Sequence, residues 1–118
     1  MVFKFEGLKV WQRSIELSGQ ISELTEKFPK KELYVLTSQI QRASDSVALN
    51  IAEGSTGQSN PEFRRFLGMA LRSAIEVVTC LYLARRRNLV EQSEFDLFYK
   101  FLTDLVKSIQ ALRNSMRS

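Results

Sequence analysis

The chain has 118 residues, one domain's worth, and 17 Lys+Arg against 13 Asp+Glu give a formal charge of +4. It contains no histidine, which excludes a Ser-His-Asp triad, a Cys-His dyad and every His-ligated metal site. A single cysteine, Cys80, excludes an internal disulfide and a CxxC motif, and a lone thiol fits a reducing compartment.

The N-terminus, Met1 to Glu6, has neither an apolar run nor a small-residue cleavage site. Uninterrupted apolar runs are only a few residues long, against roughly 20 for a membrane helix. A cytoplasmic protein with no membrane partner is the expectation. Proline and glycine are scarce, and no stretch alternates apolar and polar residues over a strand length.

Four segments carry helical spacing instead. The first runs from about Leu8 to Lys27, with Val10, Trp11, Leu17, Ile21 and Leu24 on one side. Phe28-Pro29 ends it, because the residue before proline is pushed out of the α region. The second runs from about Lys31 to Glu53, with Leu33, Leu36, Ile40, Ala43, Val47 and Ile51 as its stripe. Ser44, Ser46, Ala48 and Ala52 flank that stripe and invite close approach of a neighbour. Gly54 is read as the residue after the helix, in the left-handed conformation.

Ser55 to Ser59 is a loop. Asn60-Pro61-Glu62 then reads as an N-cap, a first-turn proline and a first-turn carboxylate. The third helix runs from Pro61 to about Arg87, with Phe63, Leu67, Ala70, Ala74, Val78 and Leu81 inward. The fourth is capped by Ser93 with Asp96 three residues on, and its stripe runs from Phe95 through Leu102, Leu105 and Ile109 to Met116. Helices of this length joined by short loops fold back on each other. The expected fold is all-α, a single antiparallel up-down-up-down four-helix bundle over residues 1–118.

Catalytic and cofactor chemistry find little here. Glu53 and Glu76 are isolated carboxylates, so neither a metal nor a cofactor is expected. The loop before Asn60 lacks the Gly-Lys-Ser/Thr ending of a phosphate loop. Cys80 falls off the inward stripe and is assigned to packing.

The basic residues say more. At roughly 100° per residue, Arg65, Arg72 and Arg86 share one line on the third helix, opposite its inward stripe. Arg85 and Arg87 add charge at the same end. Lys100 and Lys107 lie seven apart on the outer face of the fourth helix, and Arg113 and Arg117 follow where cations suit the helix dipole. Arg65, Arg72, Arg86, Arg87, Lys100 and Lys107 are the candidate phosphate contacts, for RNA or DNA. Met69, Leu71, Ile75, Tyr82 and Leu83 lie outside the inward stripe of the third helix. That surplus assigns Met69, Ile75, Tyr82 and Leu83 to contact with a second copy.

From Gln39 to Gly54 the sequence resembles the 23S rRNA-intervening sequence proteins. Arg42, Ala43, Ser46, Asn50, Ile51, Ala52, Glu53 and Gly54 match that family's Arg-Ala…Ser…Asn-Ile-Ala-Glu-Gly signature. The opening Phe5 to Trp11, and Glu62, Phe63, Phe66, Leu67, Ala70, Ser73, Ala74 and Glu76, are similar to its other motifs. Arg72 departs from it, since many relatives have glycine there. The resemblance implies an antiparallel four-helix bundle and a ring-shaped homopentamer, and it brings no catalytic residue. Some members are encoded within insertions in bacterial ribosomal RNA genes. A distant relative is a retroelement accessory subunit that binds nucleic acid and a reverse transcriptase. Of the signature residues Arg42, Asn50, Glu53 and Gly54, Asn50 is placed to bond a neighbouring helix or loop. Glu53 calls for a partner such as Arg42 or loop N–H groups. The reading is a non-enzymatic oligomeric bundle that binds structured RNA through basic outer faces. The alternative is a protein-interaction scaffold.

Overall fold

Apolar residues three and four apart, with no proline beyond the first turn, make each of the four long segments a helix in the computed structural model, which describes residues 2–116. They are α1 (Lys9–Glu26), α2 (Ser38–Ser55), α3 (Asn60–Arg86) and α4 (Gln92–Ser115). A 3₁₀ turn, Lys4–Gly7, precedes α1. No strand occurs among the described residues.

Cross-helix contacts fix the direction of each neighbour. Ser18 donates to Asp45 and Gln41 to Thr25, so α2 runs back along α1. Ser73 donates to Ser46 and Gln39 to Glu76, so α3 reverses again. Arg113 reaches Arg64 while Tyr82 packs on Phe95, which reverses α4 along α3. Lys27 meets Glu94 and Arg13 lies over Phe101, closing α4 against α1. The result is an antiparallel four-helix bundle of 45 × 22 × 22 Å.

Ile40, Val47, Leu67, Ala74 and Leu105 are all 0% exposed and sit at the centre of one core. The inward stripe drifts along the 27-residue α3: Val77 and Cys80 are buried, whereas Val78 is only half-buried. A period of about 3.6 carries the inward face around a long helix. Cys80 therefore belongs to the core stripe, and so does Leu71, which the simple periodicity places outside. By length and composition α3 is apolar enough to cross a membrane, a property spread over short runs and missed by counting uninterrupted ones. Here its inward face is covered by α2 and α4.

The helix ends differ from the sequence reading. Lys31 does not open a continuous second helix. A 3₁₀ turn (Lys30–Glu32) and a π-helical turn (Leu33–Thr37) precede α2, leaving Leu33 exposed. Ser59, not Asn60, caps α3: its hydroxyl accepts the Glu62 N–H at 3.2 Å. Glu91, not Ser93, caps α4, and its N–H donates back to Glu94 Oε1.

Gly54 is the main correction. It lies inside α2, with no positive φ. A Cβ there would stand 2.5 Å from Phe66 Cβ and 3.0 Å from Phe63 Cδ1. Glycine is needed so that α3 can lie against α2, not to turn the chain. The left-handed cap occurs at Asn88 instead, with φ 60°. There the Asn88 N–H donates to Arg85 O and the Leu89 N–H to Ala84 O, the paired bonds of a Schellman motif ending α3.

Candidate nucleic-acid interface

The outer line of α3 follows from the same helical arithmetic that buries Leu67, Ala74 and Leu81 on the other side. Arg65, Arg72 and Arg86 are all exposed. Arg65 lays its guanidinium 4.8 Å from the Phe66 ring centre, a cation–π contact that restrains it. Among the described residues neither Arg72 nor Arg86 forms an ion pair. Between them, Met69, Ile75, Tyr82 and Leu83 are each 40% exposed or more. Tyr82 is partly engaged within the chain, edge-on to Phe95 at 4.9 Å.

The other basic residues divide. Arg87 donates to Glu32 Oε1 at 2.9 Å, and Glu32 is buried. This pair ties the turn before α2 to the end of α3, so Arg87 is already neutralised within the fold. Arg85 stacks on Phe95 at 4.0 Å and on Tyr82 at 5.1 Å, and donates to Gln92. Lys100 stands 3.7 Å from Asp104, an exposed pair of little strength. Lys107 is exposed and makes no ion pair among the described residues. Arg117 lies outside the described residues.

Two basic residues that the outer line did not include meet near the start of α3, through the side chain of one and the backbone carbonyl of the other. Arg113 crosses from α4 and its Nε donates to Arg64 O at 3.1 Å. The Arg64 Nε is itself buried and without a partner among the described residues. Nearby, Lys4 stands 5.3 Å from the Phe63 ring centre. The sequence carried a hint: Arg64 and Gly68 are one turn apart on α3, and a glycine there leaves room for a side chain crossing from α4.

The signature residues split by environment. Asn50 donates to Ser46 O at 2.9 Å and Ser46 Oγ at 3.0 Å, and Ser73 of α3 donates to the same Oγ at 3.0 Å. With Gly54 against Phe66, this network fixes how closely α2 and α3 pack. Arg42 and Glu53 do not pair: no bond joins them among the described residues.

Chemistry elsewhere is sparse. Glu76 accepts from Gln39. Burial pushes the Cys80 thiol pKa up, and the Glu76 carboxylate adds to that. A thiol so placed is a poor nucleophile. An open groove between α1 and α4, floored by Leu24, Phe98 and Phe101, is edged by Glu23, Glu26 and Glu94 and stands apart from the basic line.

This arrangement can be set beside known proteins. The family model for the 23S rRNA-intervening sequence proteins matches residues 6–111. The chain belongs to that family. A solved structure similar to this intervening-sequence protein is a protein of unknown function from the S23 ribosomal protein family of Bacteroides thetaiotaomicron VPI-5482. It is 25% identical, with a TM-score of 0.82, over 88% of this chain and 97% of that one. No curated protein matches this intervening-sequence protein.

Proposed function

We infer that this chain is a non-enzymatic, self-associating bundle of the cytoplasm that binds nucleic acid, structured RNA first, through the outer face of α3. The observation that carries the reading is the line Arg65, Arg72 and Arg86: exposed, without carboxylate partners among the described residues, and opposite the core. Phosphate contacts need cations of this kind, free of internal ion pairs and roughly in line. Lys107 fits the same role. Arg87 contributes less, because Glu32 already neutralises it.

Self-association rests on Met69, Ile75, Tyr82 and Leu83, exposed between those arginines. An apolar surface of this kind is usually covered by another molecule. A closed ring places the same patch at every contact. Five copies, as the family resemblance implies, would carry +20 from +4 each. A field of that size steers a polyanion, and several weak contacts then act together.

Two measurements test this. Light scattering at micromolar concentration is expected to give a mass several times 13.6 kDa. Filter binding of a structured RNA over a salt series is expected to show a steep fall of log K with log salt. A monomer mass removes the assembly. A flat salt profile, or no binding at low salt, leaves the protein-interaction scaffold.

A further inference from the structure

We propose that the ring of Phe3 is a stacking platform for an unpaired RNA base. The proposal rests on the nucleic-acid reading and names the part of the RNA gripped at this end of the bundle. It differs from the outer line of α3, which offers phosphate contacts.

Phe3 and Phe5 lie two residues apart where the chain turns tightly before α1. Their rings stack, with centres 5.7 Å apart and planes 14° from parallel. Phe5 in turn meets Trp11 of α1 edge-on at 4.8 Å. The three rings form a ladder. Its inner end, Trp11, packs against the core, and its outer end, Phe3, is 59% exposed. Aromatic rings gain most when taken out of water, and this one is held in it.

The turn fixes that ring before any ligand arrives. The Phe3 N–H donates to Glu6 Oε1 at 2.8 Å, and the Glu6 N–H donates back to Phe3 O at 3.1 Å. Gln12 Nε2 donates to Glu6 O at 2.8 Å and ties the turn to α1. Both backbone groups of Phe3 are bonded and Phe5 lies against its ring, so binding has little left to order.

The surroundings suit a nucleic acid. Lys4 and Lys9 flank the ladder, are exposed, and form no ion pair among the described residues. Lys4 stands over Phe63, which brings the turn to the start of α3, where Arg65 is exposed. Two carboxylates of this end face the chain itself: Glu6 holds the Phe3 N–H, and Glu62 lies against Gly57. An open ring among unpaired cations supplies a face for a base and charge for the phosphates beside it. Every base has a π face, so the grip is sequence-tolerant. A base within a duplex is already stacked on its neighbours, so loops and bulges are selected.

The test follows the phenylalanine ring protons by ¹H–¹³C NMR, with Phe3 assigned by its loss in Phe3→Leu. Wild-type protein is titrated with an RNA hairpin carrying an unpaired loop, with a long RNA duplex, and with polyphosphate, a polyanion without bases. The hairpin is expected to move the Phe3 ring protons upfield, as a stacked base does, and polyphosphate is not. Phe3→Leu keeps an apolar side chain but loses the ring. It is expected to weaken hairpin binding roughly tenfold and duplex binding much less, while Phe3→Tyr stays near wild type. Tyr34→Leu is the control, an 89% exposed ring with no ring contact among the described residues, and it is expected to change nothing. If the hairpin binds while the Phe3 resonances stay still, the platform is wrong and the nucleic-acid reading survives. An equal shift with polyphosphate, or an equal loss in Tyr34→Leu, also overturns the platform. If no RNA binds, the nucleic-acid reading falls and the platform with it. The wild-type titration decides even where a variant fails to fold.

Discussion

Two glycines inside helices should respond to alanine with opposite signs. Gly19 lies in α1 with nothing within 4 Å of the place its Cβ would take. Alanine there restricts the unfolded chain and suits the helix, so Gly19→Ala should stabilise by about 0.5–1 kcal/mol. Gly54→Ala gains the same intrinsic term. It also puts a methyl 2.5 Å from Phe66 Cβ, an atom next to the α3 backbone that no rotamer change can move, and 3.0 Å from Phe63 Cδ1. Relieving that clash requires α2 and α3 to separate along the tightest part of their contact. Overpacking of this kind costs about 1–3 kcal/mol. The expected net change is a loss of up to about 2 kcal/mol, and because the intrinsic term cancels, the two variants should differ by the overpacking cost, about 1–3 kcal/mol. Urea unfolding followed by circular dichroism measures both under one protocol. If Gly54→Ala stabilised the protein as much as Gly19→Ala, the close approach of α2 and α3 would be wrong.

Four other outcomes follow from particular contacts. Leu67→Ala, at a site with 0% exposure, should cost about 2–5 kcal/mol in the same assay, and a loss below about 1 kcal/mol would refute the core assignment. Asn88→Ala should cost about 1 kcal/mol and Asn88→Gly should not, because φ is 60° there; equal effects would contradict the left-handed cap. Cys80 should resist a thiol reagent in the native protein and react on unfolding, and rapid native labelling would show that it is not buried. The hydrogen bond from Lys27 holds the Glu94 carboxyl below its ordinary 4.5, so this pair supports the fold above that pH and its support fades as pH falls through the lower, folded value. Carboxyl NMR should show Glu94 titrating below 4.5 in wild type and returning toward 4.5 in Lys27→Met; an unchanged value would mean that Lys27 does not hold the carboxylate.

Periodicity makes the four helices and the centre of the core legible, because Ile40, Val47, Leu67, Ala74 and Leu105 repeat at helical spacing within their own segments. It is less reliable along α3, where 27 residues are enough for the inward face to drift from Val78 to Val77 and Cys80. Helix ends are ambiguous in sequence where several residues have the same local fitness. Ser59 and Asn60 are both good caps, and Glu91 and Ser93 each have an acid three residues on. Gly54 reads as a terminator because helices commonly end at a glycine. Its real constraint is set by Phe66, on another helix. Long-range pairs leave no local trace either: Glu32 and Arg87 are 55 positions apart, and Arg64 meets Arg113 across 49. The outer basic line is visible in the sequence because it depends only on the phase of one helix. Which of its neighbours are neutralised depends on the fold.

The most direct test of the functional account is the salt dependence of RNA affinity in a variant with Arg65, Arg72 and Arg86 all replaced by glutamine. These side chains are exposed in the single chain, so the unfolding midpoint should match the wild type, and light scattering shows whether the variant still assembles. Fluorescence anisotropy between about 50 and 200 mM salt should show weaker binding and a flatter slope of log K against log salt, by roughly one unit for each phosphate that a subunit no longer neutralises. An unchanged affinity and slope in the folded, assembled variant would contradict the account and leave the outer face of α3 as solvated surface.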